Sequence, residues 1–340
     1  CATGRPALLP MHTLTLPTST TMLAWVCTRY GGTDVLRLRT LPRPVPGPRD
    51  VLVRVLAASV SSADMRVRTQ KLPRGFGLLG RLAFGITRPR QPVLGTDVAG
   101  VVEAVGRAVT GFAPGDAVVG VAGVAMGGHA EYCLLPSTRP LVHKPARLSF
   151  VDAACLPFGG LAALHFLNKA NLRAGESLLV IGAAGAVGSA MVQLARHRGA
   201  HVTAVCSGGN VALARALGAQ AVIDYTEEDF TQDPQQWDVV ADTVGASSFA
   251  ACLPRLTEHG RYLAVAGSLA QVLARPRGTR RSIGGPAAER PEDLQTLMDL
   301  AQAGVLRPVL DCAYPFADLP AAHAYVETGR KRGAVVVALP

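Results

Sequence analysis

The short apolar run Ser177–Ile181 ends in Gly182-Ala183-Ala184-Gly185-Ala186-Val187-Gly188, and helical spacing follows over Val187–Arg198. A strand, a glycine turn and a helix in immediate succession constrain the fold more than any other stretch. The first glycine permits a tight turn, the second lets backbone amides approach a pyrophosphate, and the third allows close helix–strand packing. The helix N-terminus adds partial positive charge where phosphates would sit. Two residues separate the first two glycines, so the spacing differs from G-x-G-x-x-G. The alternative is a glycine turn that holds no ligand. The context favours a dinucleotide site, with Gly182, Ala184, Gly185, Ala186, Val187 and Gly188 as candidate cofactor-binding residues.

Strands and helices alternate from about Ser149 onward. Phe150–Asn168 has helical spacing; His201–Cys206, Ala221–Asp224, Trp237–Ala241 and Arg261–Val265 read as strands, and Val211–Leu217 and Glu292–Ala303 as helices. That rhythm predicts an α/β fold with a doubly wound parallel sheet over residues 149–303. Val244 and Gly267 follow two of those strands and join the cofactor candidates. Arg275–Pro286, rich in Gly and Arg, reads as a loop.

The loop after the second strand bears on the choice of cofactor. An acid there would hydrogen-bond the ribose 2′-hydroxyl of NAD and repel a 2′-phosphate. Here the chain reads Cys206-Ser207-Gly208-Gly209-Asn210, with Ser207 placed 19 residues after Gly188. Ser207, Asn210 and Tyr225 can donate hydrogen bonds to a phosphate, so NADPH is expected over NADH. No Lys or Arg stands in this loop. The balancing charge is expected from Arg330, Lys331 or Arg332, or from the arginines near residue 280, and Arg330 is carried forward as a cofactor contact.

Residues 22–148 are β-rich and punctuated by turns: Met22–Thr28, Val51–Ala57, Val98–Val105 and Ala117–Val121 read as strands of a small barrel-like domain. The tail, residues 304–340, reverts to a strand, a helix near Leu319–Glu327 and a final strand Ala334–Leu339, and is expected to return to this first domain. A length of 340 residues is comfortable for two domains. Residues 1–21, rich in Thr and Pro, lack the apolar core of a secretory signal and are expected to be a disordered extension or the remnant of a mis-assigned start. A transit peptide fits them poorly, because only Arg5 is charged there.

The net charge of +10 is read mainly as a solvated surface that can attract an anionic ligand. No groove-reading motif accompanies it, so a nucleic-acid partner is not expected. No long uninterrupted apolar run marks a membrane span. Seven scattered cysteines without a C-x-x-C pair point to a reducing compartment, with the cytoplasm as the expectation.

Further motifs carry a resemblance. Ala57-Ala58-Ser59-Val60-Ser61-Ser62-Ala63-Asp64, Leu94-Gly95-Thr96-Asp97-Val98-Ala99-Gly100, Phe112-Ala113-Pro114-Gly115-Asp116, the glycine turn and Gly218–Tyr225 together resemble the medium-chain dehydrogenase/reductase superfamily. Within it the chain is similar to the zinc-free quinone oxidoreductase and reticulon-4-interacting-protein-like branch, from about Met22 to Leu339. The resemblance implies a GroES-like β-rich barrel domain in two pieces around a Rossmann domain, and a homodimer.

Zinc-containing members carry Cys-His where this chain has Ser61-Ser62, and Gly-His-Glu where it has Gly95-Thr96-Asp97. Hydroxyls are poor zinc ligands beside thiolate and imidazole, so no metal is expected. Without a Lewis acid to stabilise an alkoxide, reduction of an already electrophilic acceptor is the easier chemistry. The expectation is hydride transfer from NADPH to a quinone or an α,β-unsaturated carbonyl.

The chain also departs from its relatives. Quinone-reductase relatives usually have Asn-Pro at Ser61-Ser62, a Thr at Ala162, and Arg-Gly-Lys at Arg332-Gly333-Ala334. Ser61 is the first choice for a polar contact to substrate, with a strand-end hydroxyl satisfied by backbone as its alternative. Asp64 reads as a carboxylate that holds backbone amides rather than as a general base. Lys144 is expected at the domain junction and His129 in a turn; Phe158 and Tyr132 read as core or pocket lining. The altered positions keep a second class open: an NADPH-binding protein, crystallin-like or regulatory, with little turnover.

Overall fold

The computed structural model describes residues 20–340. The expected extension over residues 1–21 therefore lies outside the described residues except for its last two positions, and Thr21 already begins the strand Thr21–Cys27.

The six-stranded sheet runs Ala221–Asp224, His201–Cys206, Ser177–Ile181, Trp237–Asp242, Leu256–Ala264 and Arg281–Gly284 in spatial order, and every pairing is parallel. Chain order 3-2-1-4-5-6 across a sheet is the dinucleotide-binding arrangement, with its crevice where the order reverses. That reversal falls between Ser177–Ile181 and Trp237–Asp242, the strand ends that carry Gly182 and Val244. Both strands are almost wholly buried, as strands covered by helices on both faces must be.

The expected loop over Arg275–Pro286 is corrected in part. Arg281–Gly284 is an edge strand, in register with Arg261–Ala264. Its side chains are only partly covered, so its strand character comes from backbone pairing and leaves little hydrophobic pattern to read. The single helix expected over Phe150–Asn168 is two, Phe150–Ala154 and Pro157–Ala170. Ser149 caps the first through the Asp152 amide, and Pro157 opens the second at a position where a missing N–H does no harm.

The second sheet holds Leu310–Pro315, Ala334–Ala338, Asp50–Val60, Asp97–Val105, Ala117–Val121 and Leu141–His143, with Tyr132–Pro136 also on Asp50–Val60. The tail does return to the first domain: Val335 faces Val60 and Ala338 faces Ala57 in antiparallel register. Leu36–Pro42 pairs with Thr21–Cys27 in a separate ribbon. The helix Pro157–Ala170 lies so close to the helix Ala186–His197 that a Cβ on Gly159 would stand 2.2 Å from the Ala186 carbonyl oxygen. This contact seats the glycine turn against the body of the molecule.

Candidate functional site

Gly182 adopts φ +81°, a left-handed conformation that glycine tolerates without strain, and a Cβ there would stand 2.5 Å from Val244 Cγ1. At Gly188 a Cβ would stand 2.2 Å from the Gly182 carbonyl oxygen, so close packing of helix on turn excludes any side chain. Gly185 is different. A Cβ there would meet only the Gly182 oxygen at 3.5 Å, an ordinary contact. The chain itself does not need a glycine at this point, whereas a phosphate resting on the backbone does.

Gly185 is the N-cap of Ala186–His197 and no side chain caps that helix. The first intrahelical bond runs from the Ser189 amide to the Gly185 oxygen, which leaves the amides of Ala186, Val187 and Gly188 ahead of it. Uncapped donors above a glycine whose Cβ position meets only an ordinary contact fit the pyrophosphate of a dinucleotide. Asp242 organises the neighbouring strand end: its carboxylate accepts from the amides of Val244, Gly245, Ala246 and Ser247 and from the Tyr262 hydroxyl. Val244 is exposed on that loop, and Gly267 follows the next strand. A further cleft of about 590 Å³ joins Val244 and Gly245 to Arg66, Lys71 and Arg74 from the other domain.

The loop after His201–Cys206 is a turn of 3-10 helix, with the Asn210 amide group donating to the Ser207 hydroxyl at 3.0 Å. Tyr225 is exposed beside it, and its amide bonds the Cys206 carbonyl. Two charges close on this loop from outside it. Arg332 brings a guanidinium nitrogen to 3.5 Å from the point where a Gly209 Cβ would be. Asp224 brings a carboxylate oxygen to 2.4 Å from the corresponding point on Gly208, while its other oxygen accepts from Thr226. Arg330 is exposed, with its amide on the Thr328 hydroxyl. Lys331 is turned inward onto the Gly333 carbonyl at 2.6 Å, and burial lowers its pKa to about 8.

Ser61 and Asp64 form a reciprocal capping box at the start of Ser62–Thr69. The Ser61 hydroxyl donates to Asp64 Oδ2 at 2.6 Å and accepts from the amides of Ala63 and Asp64; it is 3% exposed. Asp64 Oδ1 takes the Gly95 amide at 2.9 Å, which pins the loop leading to Thr96 and Asp97. Gly95 stands at φ +99°, and a Cβ there would lie 2.7 Å from the His129 amide. Both side chains thus hold backbone in place, and His129 lies buried with Nε2 on the Ser59 carbonyl. Lys144 donates to the Pro145 carbonyl, with its ammonium 4.9 Å from the Phe150 ring centroid. Arg43 stacks on Tyr132 at 4.0 Å.

A cleft of about 410 Å³ opens between the two domains. Thr96, Asp97 and Met126 line it from the barrel side; Phe158, Ala162 and Glu289 line it from the other. The Thr96 hydroxyl is buried, makes no hydrogen bond of full geometry within the protein, and stands close enough to the Asp97 carboxylate to favour its charged form. Asp97 accepts from the Ser59 hydroxyl at 2.8 Å, and burial, with Asp64 and Glu289 adding to it, raises its pKa to about 7. Arg139 faces Glu289 at 3.7 Å. Thr96, Asp97, Glu289 and Arg139 were not singled out for chemistry by the sequence. The only signal was the position of Thr96-Asp97 beside Ser61 in the family motifs.

Known proteins match this arrangement along nearly the whole chain. The alcohol dehydrogenase GroES-like domain family matches residues 47–146, and the zinc-binding dehydrogenase family matches residues 217–337. A 2-methylene-furan-3-one reductase of Solanum lycopersicum is 34% identical over 93% of this chain and 79% of its own length. The chain belongs to the quinone oxidoreductase-like branch of the medium-chain dehydrogenase/reductase superfamily. Another member, the mitochondrial NAD(P)H oxidoreductase RTN4IP1 of Mus musculus, is 32% identical, with 94% of this chain and 89% of the relative covered. The quinone oxidoreductase structure from Coxiella burnetii superposes with a TM-score of 0.82 at 31% identity, covering 94% of this chain and all of that one. As a member of this branch the chain is an NAD(P)H-dependent oxidoreductase with small-molecule substrates.

Proposed function

We propose that this chain is an NADPH-dependent, zinc-independent reductase of α,β-unsaturated carbonyls and quinones, working as a homodimer in the cytoplasm. The observation that carries the reading is the cleft in which the buried Thr96 hydroxyl stands beside Asp97. A nicotinamide dinucleotide held over Gly182, Gly185 and Gly188 would supply the hydride for the electrophilic carbon of the acceptor. Thr96 would donate a hydrogen bond to the acceptor oxygen on which negative charge develops. Asp97, partly protonated near neutrality, or a water completes the addition with a proton.

The donor set argues against zinc. Ser61 spends its hydroxyl on the helix cap, and Thr96 offers a neutral hydroxyl where a metal would need imidazole. Preference for the 2′-phosphate rests on Ser207, Asn210 and Tyr225 together with the Arg332 guanidinium, against the single opposing carboxylate of Asp224. The edge strand Arg281–Gly284 offers unpaired backbone for a two-fold continuation of the sheet. Unpaired Cys27, Cys133, Cys155, Cys206, Cys252 and Cys312 support a reducing compartment.

The test is NADPH consumption with an enone, a quinone and a saturated aldehyde. The reading expects turnover with the first or second and little with the third. One observation favours the second reading, a binding protein with little turnover: the Ser61 hydroxyl is already engaged within the protein. NADPH binding without consumption in any of the three assays would select it.

A further inference from the structure

The helix Gly77–Phe84 carries a single polar side chain, Arg81. A helix on a protein surface ordinarily turns its apolar stripe inward and its polar face to water. This one is seated through Gly80, which is buried and where a Cβ would collide with Leu72, and through Phe84, which lines the reaction cleft. Leu78, Leu79 and Leu82 fall on the face turned away from that seat, as a repeat of about 3.6 residues per turn requires. With Ile86, just past the helix, they are between 52% and 73% exposed. Lone exposed leucines are ordinary, but a contiguous apolar patch marks a site of contact.

The charge around this patch has one sign. From Met65 to Thr96 the chain has seven basic residues and no acidic one. Glu327 takes up Arg68 and Lys71, whereas Arg74, Arg81, Arg88 and Arg90 are exposed and join no ion pair of the described residues. Arg81 and Arg90 both act on the Tyr30 hydroxyl, which donates to the Gly85 carbonyl at 2.8 Å, so they flank the turn before Ile86. We propose that this face docks on the surface of an anionic bilayer. Leu78, Leu79, Leu82 and Ile86 enter the boundary between headgroups and acyl chains, and the four arginines meet the lipid phosphates. The outer side of a helix is convex and holds no pocket, which suits a continuous lipid interface better than the side chains of a protein partner. The contact is peripheral, because no helix among the described residues is long and apolar enough to cross a membrane. It is independent of the reaction assigned above.

Co-sedimentation of the full chain with vesicles tests this, using phosphatidylcholine alone and phosphatidylcholine with one quarter phosphatidylglycerol. Wild type should sediment with the anionic vesicles, stay off the neutral ones, and be released by high salt. The triple variant Leu78→Gln, Leu82→Gln, Ile86→Gln should bind about tenfold more weakly or worse. The pair Arg81→Gln, Arg88→Gln should lose about fivefold per arginine. All five side chains are exposed, so melting temperatures should match wild type. Arg173→Gln with Arg196→Gln removes the same charge at the opposite end of the parallel sheet and should bind as wild type does. Wild type that ignores anionic vesicles, or binds both kinds equally, overturns the proposal. Binding that survives the triple variant, or that the Arg173–Arg196 control loses as much as the Arg81–Arg88 pair, also overturns it, as mere adsorption of a chain of net charge +10. So does a wild-type dimer that the triple variant dissociates while neither protein binds vesicles, since the patch then meets a second copy.

Discussion

The Gly333 amide donates to the Ala184 carbonyl at 2.7 Å, and Gly333 bridges Gly185 in parallel fashion. The segment after Thr328 is thereby bonded to the glycine turn of the parallel-sheet domain. Gly333 holds φ +66°, and a Cβ on it would stand 2.0 Å from the Val309 oxygen, so the approach depends on glycine. The same segment carries Arg332 to the loop at Gly209.

The glycines of the turn should separate into two kinds. Gly185→Thr keeps an N-cap residue of comparable preference, and its Cβ meets only an ordinary contact with the Gly182 oxygen. It should leave the melting temperature near wild type and weaken dinucleotide binding about tenfold to a hundredfold, the reach of a 1–3 kcal/mol steric cost. Gly188→Ala, whose Cβ meets backbone, should destabilise the fold by about that amount. Calorimetry and thermal unfolding on both variants check the pair.

Arg332 and Asp224 should move coenzyme preference in opposite directions. Arg332→Ala should weaken NADPH binding about fivefold, the worth of one exposed charge contact of roughly 1 kcal/mol, and leave NADH binding unchanged. Asp224→Asn should raise the NADPH-to-NADH preference by removing the like charge. Dissociation constants for both coenzymes give the ratio directly.

Thr96→Val should lower kcat about a hundredfold with little change in KM, as loss of one donor to a developing oxyanion does. The Asp97 carboxyl, raised to about 7, is protonated below that pH and ionised above it. Supply of a proton from it should make kcat decline above about pH 7, and Asp97→Asn should flatten that limb. Steady-state profiles on the three proteins read both effects.

His129 and His323 lie buried edge-to-face, with ring centroids 5.3 Å apart, and neither ring nitrogen of His323 has a partner. Burial holds both below the ordinary 6.5, His323 well below it. An imidazole whose folded pKa is lowered binds fewer protons folded than unfolded. Stability is therefore fully present above the unfolded pKa and is lost as pH falls beneath it, by up to about 1.4 kcal/mol per pH unit for each ring. His323→Leu should reduce the slope of unfolding free energy against pH below about 6.5, as measured in urea.

The parallel core was written plainly in the sequence. Ser177–Ile181, His201–Cys206 and Ala221–Asp224 were read with the bounds they have, because apolar runs between glycine-bearing turns leave little choice. Arg281–Gly284 was hidden because an edge strand with an exposed arginine and a half-covered serine has no apolar rhythm. At the site, the glycine turn was legible because it is local. The approaches of Arg332 and Asp224 to the Ser207 loop were not, since tertiary packing alone brings them there. Ser61 illustrates the reverse: with Asp64 three positions on, it carried a helix-capping signature that its place in a family motif overshadowed.

The strand Ala334–Ala338 lies in the interior of its sheet, between Leu310–Pro315 and Asp50–Val60. In chain order it follows every other described strand of the sheet, so a ribosome makes it after them. The barrel's earlier strands therefore emerge with a vacant edge on Asp50–Val60 and must stay so while the whole nucleotide-binding unit is translated and folds. Until residues 334–338 are released, that edge is free to pair with any passing strand, so nascent chains that still lack this strand are prone to aggregate through it.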